Sequence, residues 1–317
     1  MKNLETDTPK FAVLLAAYNG MKWLPDQVES ILKQEGVSVT LFVSVDSSED
    51  GTEEWFDDLA ISDRRVILLE HGHKFGGAAP NFFRLFNDVD FSSYDYVSLA
   101  DQDDIWILNK LLRAHSIIKE KNAFALSSNV IAFWPGGHKK LIIKNQPQVK
   151  WDYLFESAGP GCTFVINKVL ATKFKSFLTA NVACLQDVGN GQHDWLIYAF
   201  SRSQGYKWVI DCYSGMFYRQ HEKNQFGVNS GLNAFLFRVN KVLDGWWLTQ
   251  SLLFARLTGV VDDPFVIRWS KGGGLGLLWL ALHANLCRRS IKDKILFVFA
   301  CLAIVIARRQ RNLFNKV

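Results

Sequence analysis

The feature that most constrains this chain is a short, largely apolar run, residues 96–100, that stops in three carboxylates within four positions: Asp101, Asp103 and Asp104, with Gln102 among them. Such a run reads as a buried strand, and open α/β sheets bind their ligands at the carboxyl ends of strands. Carboxylates this close repel one another unless a cation sits among them. Hard divalent ions such as Mg2+ and Mn2+ take one or two protein carboxylates together with phosphate oxygens. The competing structural reading is an acidic helix start, where Asp is favoured as a cap.

Upstream, the pattern of apolar run, polar turn and helix recurs three times. Residues 11–17 are continuously apolar, end in Tyr18-Asn19-Gly20, and lead to helical spacing of Leu24, Val28, Ile31 and Leu32. Residues 39–45 end in Asp46-Ser47-Ser48-Glu49-Asp50-Gly51-Thr52, before a helix from about Glu53. Residues 66–69 lead to a glycine-containing loop, residues 73–80, and a helix bearing Phe82, Phe83, Leu85 and Phe86. Alternating strands and helices predict an α/β fold with a mainly parallel central sheet and helices on both faces. The strand-end loops of such a sheet share one edge, so Tyr18, Asn19, Asp46 and Asp101 to Asp104 are expected around one nucleotide-sized crevice. None of the glycine loops has G-x-G-x-x-G or P-loop spacing, which argues against a dinucleotide-binding domain and a P-loop NTPase.

Further along, residues 110–119 have helical spacing, with Lys110 either on a solvated face or reaching towards a phosphate. Residues 123–134 read as one strand and residues 135–140 as a hairpin turn. Gly159-Pro160-Gly161-Cys162-Thr163 is a tight turn into a strand, of the kind that lets backbone approach a ligand. Cys162 reads as a small buried residue. Gln192-His193-Asp194-Trp195 opens an apolar helix, with Asp194 either an N-cap acid or a general base.

Charge is unevenly spread. From Arg268 onward there are ten bases and one acid, Asp293, so this tail carries +9 and the first 267 residues −4. Such asymmetry points to an anionic surface. Apolar residues recur at helical spacing from Leu232 to Trp247, and two apolar runs, residues 275–282 and 295–307, are bounded by bases. Neither run reaches the ~20 apolar residues of a membrane span. They predict helices lying in a membrane interface, or else packed on the rest of the chain or on another subunit. Because the bases interrupt apolar runs instead of forming a polar stripe, no nucleic-acid partner is expected. The first ten residues are polar, with no apolar run behind a basic start, unlike a secretory signal. Five scattered cysteines without a C-x-x-C pair predict free thiols in a reducing cytoplasm, with neither disulfide framework nor structural zinc.

The ordered set Ala17-Tyr18-Asn19-Gly20, Val45-Asp46-Ser47-Ser48-Glu49-Asp50-Gly51-Thr52 and Asp101-Gln102-Asp103-Asp104-Ile105-Trp106 resembles the family 2 inverting glycosyltransferases of the GT-A fold. The third motif is similar to that of bacterial rhamnosyltransferases of surface polysaccharide (O-antigen) assembly. Each motif alone is weak, but three in order at strand ends are specific, and the resemblance covers about the first 230 residues.

The resemblance implies transfer of a sugar, L-rhamnose from dTDP-L-rhamnose, with inversion onto a lipid-linked or growing polysaccharide acceptor at the inner face of the cell membrane. It implies donor contacts from Ala17, Tyr18, Asn19, Asp46, Gly76, Asp101, Gln102, Trp106 and Arg219, with Tyr18 and Asp46 at the base and ribose. Mg2+ or Mn2+ would be held by Asp103, Asp101 and His221. Gly161, Cys162, Thr163, His193 and Trp195 would lie on the acceptor side, with Asp194 as general base. The resemblance implies a catalytic domain over residues 1–230, with a nucleotide-sugar part at about 10–120 and an acceptor part at about 121–230, and the spacing and charge described above make residues 231–317 a helical, basic membrane-interface region. Val45, where the second motif often has another acid, and Lys74, where the third loop often has Asn, depart from the pattern and bear on nucleotide preference. Two rival readings are a nucleotidyltransferase making a nucleotide sugar, whose early basic glycine loop residues 17–20 lack, and a non-catalytic, membrane-associated glycan-binding or assembly protein. Oligomeric state is left open.

Overall fold

In the computed structural model of the chain, residues 8–221 and 244–314 are described, residues 308–314 by backbone alone. Four strands, β1 (Lys10–Ala17), β2 (Ser38–Val45), β3 (Val66–Leu68) and β4 (Tyr96–Ala100), alternate with helices α1 (Leu24–Leu32), α2 (Thr52–Ser62) and α3 (Ala78–Asp88). There follow β5 (Ile105–Trp106), α4 (Lys110–Lys121), β6 (Ala125–Ser128), β7 (Val130–Phe133), β8 (Lys139–Ile142), β9 (Val165–Asn167), α5 (Lys168–Ala180), α6 (Val182–Leu185), α7 (His193–Ser203), β10 (Trp208–Asp211) and β11 (Met216–Arg219). The chain closes with α8 (Trp246–Leu257), α9 (Pro264–Lys271), α10 (Gly273–Leu282), α11 (Ala284–Cys287) and α12 (Ile291–Phe314).

Seven strands form one sheet in the order β10-β6-β9-β4-β1-β2-β3. All neighbours are parallel except β9, which runs antiparallel to both β4 and β6. The uninterrupted apolar run of β1 follows from helices on both faces, since side chains alternate across a strand. Ala12 and Leu14 enter a core with α3, α5 and α7, whereas Phe11, Val13 and Leu15 enter a second core with α1, α2 and α4. A smaller sheet, β5-β11-β7-β8, stands at one side.

Residues 123–134 are not one strand, as their sequence suggests, but two in different sheets. The break is Asn129, a buried residue whose side-chain carbonyl accepts the backbone N–H groups of Lys144 (2.6 Å) and Asn145 (3.1 Å). Its amide donates to the Cys212 carbonyl at 2.9 Å. One side chain thus satisfies the backbone where the chain changes sheets, a cost that apolar patterning does not reveal.

The helices from residue 246 onward share the first core with α3, α5 and α7. Phe155 packs edge-on against Trp247 and Phe297 and beside Trp269, Trp151 stacks on Phe265 at 4.9 Å, and Trp195 meets the edge of Phe254. A buried ionic knot fastens the same junction. Asp152, fully buried, accepts from the Tyr198 hydroxyl (2.9 Å) and from Arg202 (3.1 Å), and Arg289 lies at 3.4 Å. Glu156 accepts the Arg289 backbone N–H at 2.7 Å. The amphipathic stretch expected from Leu232 to residue 243 lies outside the described residues. Among the described residues no helix is long and apolar enough to cross a membrane, and all five cysteines are free thiols.

Removing one partner from a buried ion pair leaves the other charge uncompensated. Asp152→Ala, which takes the carboxylate from Arg202 and leaves Arg289 with Glu156 at 3.6 Å, is therefore expected to destabilise the fold by about 3 kcal/mol. Urea unfolding followed by tryptophan fluorescence measures this; a change below about 1 kcal/mol would show the knot to be incidental.

Candidate active site

Because β1 lies between β2 and β4 in parallel register, the loops that follow these strands meet at one sheet edge. Gln102 ties two of them together. Its side-chain carbonyl accepts the Tyr18 N–H at 2.7 Å and its amide donates to the Tyr18 carbonyl at 2.9 Å. A Cβ on Gly20 would stand 2.4 Å from the Gln102 oxygen, so a larger residue there would displace Gln102 from the Tyr18 backbone. Asn19 adopts the left-handed conformation (φ 44°), tolerated by Asn, and accepts the Glu49 N–H through its side chain at 2.8 Å. Thr52 accepts from Gly20 N–H and Asp50 from Met21 N–H, each at 3.0 Å. Much of the second motif is thus scaffolding for the first, and Tyr18 is left half-exposed at the mouth of the cleft.

Asp46 is buried at the end of β2, and its two oxygens accept the backbone N–H groups of Phe75 and Gly76, both at 2.8 Å. The carboxylate folds the glycine loop over the sheet edge. With Ala17, Asn19, Lys74 and Gly76 it lines a cleft of about 1120 Å³.

Asp101 and Asp103 face the same cleft. Burial, reinforced by the neighbouring Asp103, pushes the Asp101 carboxyl up to about 7. His221 Nε2 is 2.7 Å from Asp103 Oδ2, and the imidazole stacks on Trp23 with ring centroids 4.0 Å apart. Asp104 is turned inward; one oxygen accepts the Arg219 backbone N–H at 3.1 Å, and burial together with the Asp103 and Asp101 charges raises its pKa well above the usual carboxylate range. Cys162 lies beneath, with its sulfur and the Asp101 and Asp104 oxygens all within 4.8 Å of one another. Burial holds that thiol well above its ordinary pKa, so it stays protonated and is no ligand for a hard ion. The donors that do line the cleft, the Asp101 and Asp103 carboxyls and the His221 imidazole, are of types that Mg2+ or Mn2+ accepts.

Across the cleft lining, α7 contributes His193, Asp194 and Trp195. Asp194 is not the helix cap, a position held by Gln192, but sits in the first turn with one oxygen on the Trp195 N–H at 2.6 Å. Burial pushes its carboxyl up to about 7, partly offset by the Trp195 N–H, the Lys144 charge and the Ser157 hydroxyl. A carboxyl poised there can take a proton near neutral pH. His193 is buried, not superficial; it stacks on Phe82 (4.3 Å), and burial lowers its pKa to about 3. Gly161 makes room for the ring, since a Cβ there would stand 2.6 Å from His193 Nε2.

Several expected residues lie elsewhere. Arg219 does not line the cleft; its Nε donates to the Asp103 carbonyl (2.8 Å) and its Nη2 pairs with Asp26 (3.2 Å), so it braces the acidic loop from behind. Trp106 is buried off the cleft, beneath the Lys110 ammonium at 3.3 Å. Lys110 is neither solvated nor in the cleft: it is buried, and desolvation lowers its pKa to about 7. Cys162 and Thr163 are packed behind Gly161 and do not line the cleft. Conversely, Trp23, Lys144, Glu156, Ser157, Arg288 and Asp293 line it without having been singled out. Only Trp23, just after the first motif, stood close to a recognisable signal; the others arrive through tertiary packing.

One cleft at the sheet edge is thus lined by Asp101, Asp103 and Asp194, the last raised to about 7, a lining suited to a transferase that uses an activated, phosphate-bearing donor. The chain belongs to glycosyl transferase family 2, whose sequence model matches residues 12–179. It is 41% identical over 282 residues to a protein of Shigella flexneri named dTDP-rhamnosyl transferase RfbG, covering 89% of this chain and 96% of that one. Its fold is similar to that of S. aureus TarS residues 1–349 solved with UDP-GlcNAc, with a TM-score of 0.55 and 14% identity over 95% of this chain and 89% of that chain. GalNAc-T7 solved with UDP, GalNAc and Mn2+ gives 0.54 at 12% identity over 84% and 52%. The fold is the GT-A fold, and the protein is a glycosyltransferase.

Because His193 titrates far below an unfolded histidine, the unfolded chain binds the extra proton between about pH 6.5 and 3. Stability is therefore expected to fall as pH drops through that window. Urea midpoints measured across it should show a shallower decline for His193→Gln; identical slopes would mean that the ring titrates normally.

Proposed function

We propose that this glycosyltransferase moves L-rhamnose from dTDP-L-rhamnose, with inversion, to a hydroxyl of a lipid-linked or growing polysaccharide. The name of the Shigella flexneri relative, which this chain matches over nearly its whole length, supports the donor. The observation that carries the mechanism is that Asp194, Asp101 and Asp103, from elements ninety or more residues apart, line one cleft.

On this reading residues 10–120 serve the donor and residues 121–230 the acceptor. Tyr18 covers the base, and Asp46, whose carboxylate has lone pairs beyond the two used by the loop amides, accepts the base imide N–H. Gln102 and Asn19 act by holding the base loop. Asp101, Asp103 and His221 hold Mg2+ or Mn2+. Bound there, the ion supplies neutralisation of the leaving diphosphate, an electrostatic contribution of the kind worth ~2.7–4 kcal/mol per group. Asp194 takes the proton of the acceptor hydroxyl as its oxygen forms a bond to the anomeric carbon. The bond from that carbon to the diphosphate oxygen breaks, and its electron pair leaves with dTDP. Gly161, His193 and Trp195 shape the acceptor side, with His193 neutral throughout. Because Asp194 must be ionised to act, kcat is expected to rise through about pH 7 and level off above it.

Incubation with a panel of nucleotide sugars and Mg2+ or Mn2+, reading which nucleoside diphosphate is released, tests the donor; dTDP is expected. Asp194→Asn should bind donor as the parent does yet lose at least about 10²-fold in kcat, whereas Asp103→Ala should lose metal-dependent donor binding. Transfer by Asp194→Asn at the parent rate would overturn the base assignment.

A further inference from the structure

We infer that the outward face of α10 and α12 is a docking surface for an anionic lipid bilayer, placed beside the end of the cleft that takes the acceptor. This rests on the glycosyltransferase reading only for the acceptor; the surface itself stands on the helices. α10, Gly-Gly-Leu-Gly-Leu-Leu-Trp-Leu-Ala-Leu, has no polar side chain except the Trp279 ring nitrogen. A helix on a soluble domain buries one stripe and solvates the other with polar residues. Here Leu277 and Leu280 are buried, while Leu275 and Leu282, on the other side, are 80% and 82% exposed. α12, packed against α10, repeats the arrangement. Phe297, Cys301 and Ile304 are buried, and Ile291, Ile295, Phe299 and Ile306, at helical spacing along the opposite side, are exposed.

The charges choose the occupant. Arg288 and Arg289 are committed to Glu156, Asp152 and Asp293 inside the protein. Exposed Arg268, Lys271 and Lys292, near the starts of α10 and α12, give the face a basic rim, and the sequence at the far end of α12 adds Arg308, Arg309 and Arg311. In a twofold self-contact the same patch meets itself, which would set these bases against one another. A bilayer carrying anionic lipid accepts both the apolar ridge and its basic rim. With no described helix long and apolar enough to span, the face lies in the headgroup region. Arg288 and Asp293, in and just after the turn into α12, line the cleft. An acceptor whose lipid remains in the bilayer would therefore meet the cleft from this side.

Since α8 to α12 share the core, point substitutions on the exposed face are the clean test, not truncation. The full chain is sedimented with vesicles of phosphatidylcholine alone and of phosphatidylcholine mixed with phosphatidylglycerol. Binding is expected only with the anionic mixture. It should weaken about fivefold for each of Lys271→Gln and Lys292→Gln, and about tenfold or more for Ile295→Glu/Phe299→Glu. That double variant should keep the parent's melting temperature and its metal-dependent release of dTDP in vesicle-free buffer. Equal binding to both vesicle types, no binding by the parent, or undiminished binding by the double variant would overturn the surface. So would a parent dimer in light scattering that the double variant splits without any vesicle binding. Vesicle binding with no nucleotide released from any donor would instead sink the functional reading and leave the surface standing.

Discussion

The arrangement depends on crowding three carboxylates at the carboxyl end of a buried parallel strand. The backbone turns Asp101 and Asp103 outward and Asp104 inward, and each direction needs its own compensation. Inward, the Arg219 backbone N–H meets Asp104, while the buried Lys110 ammonium adds positive potential from below. Outward, His221 stands against Asp103. Burial still leaves Asp101 with a strongly raised pKa, the condition that a divalent cation relieves. Gln102, between these acids, carries no charge and holds the neighbouring Tyr18 loop in place.

The second carboxyl site has a different origin. Asp194 reaches the cleft because α7 packs beneath it and presents its first turn to the lining. Its raised pKa comes from burial, while Lys144 and Ser157 pull it back towards neutrality. The Lys144 backbone N–H is in turn held by Asn129, the side chain that lets the strand break between two sheets.

The C-terminal helices belong to the same core, and that changes what they can do. Phe155, Trp151 and Asp152 join them to the segment that leads into Gly159 and Gly161, so Arg288 and Asp293 become part of the cleft wall. Their apolar residues divide into a buried stripe that fastens them and an exposed stripe that remains. A helix recruited in this way presents its outer face in a constant orientation to the cleft.

Much was legible in the sequence because it rests on local periodicity. Continuous apolar runs read correctly as strands covered on both faces, and the acids at their ends were placed at one edge by the topology of parallel sheets. The motifs Ala17 to Gly20, Asp46 to Thr52 and Asp101 to Asp104 could be assigned to a common crevice for that reason. What the sequence could not show is direction. Arg219, Trp106 and Lys110 carry side chains suited to a ligand, but register and packing turn them into the scaffold. Lys144, Glu156, Arg288 and Asp293 carry no local signature and reach the cleft only through long-range contacts. Sequence by itself determined the fold class and the chemistry available at the strand ends, since both follow from residue type and period. Only the tertiary structure decided which of those groups face the cleft, because that depends on which backbone amides and buried charges each of them must satisfy.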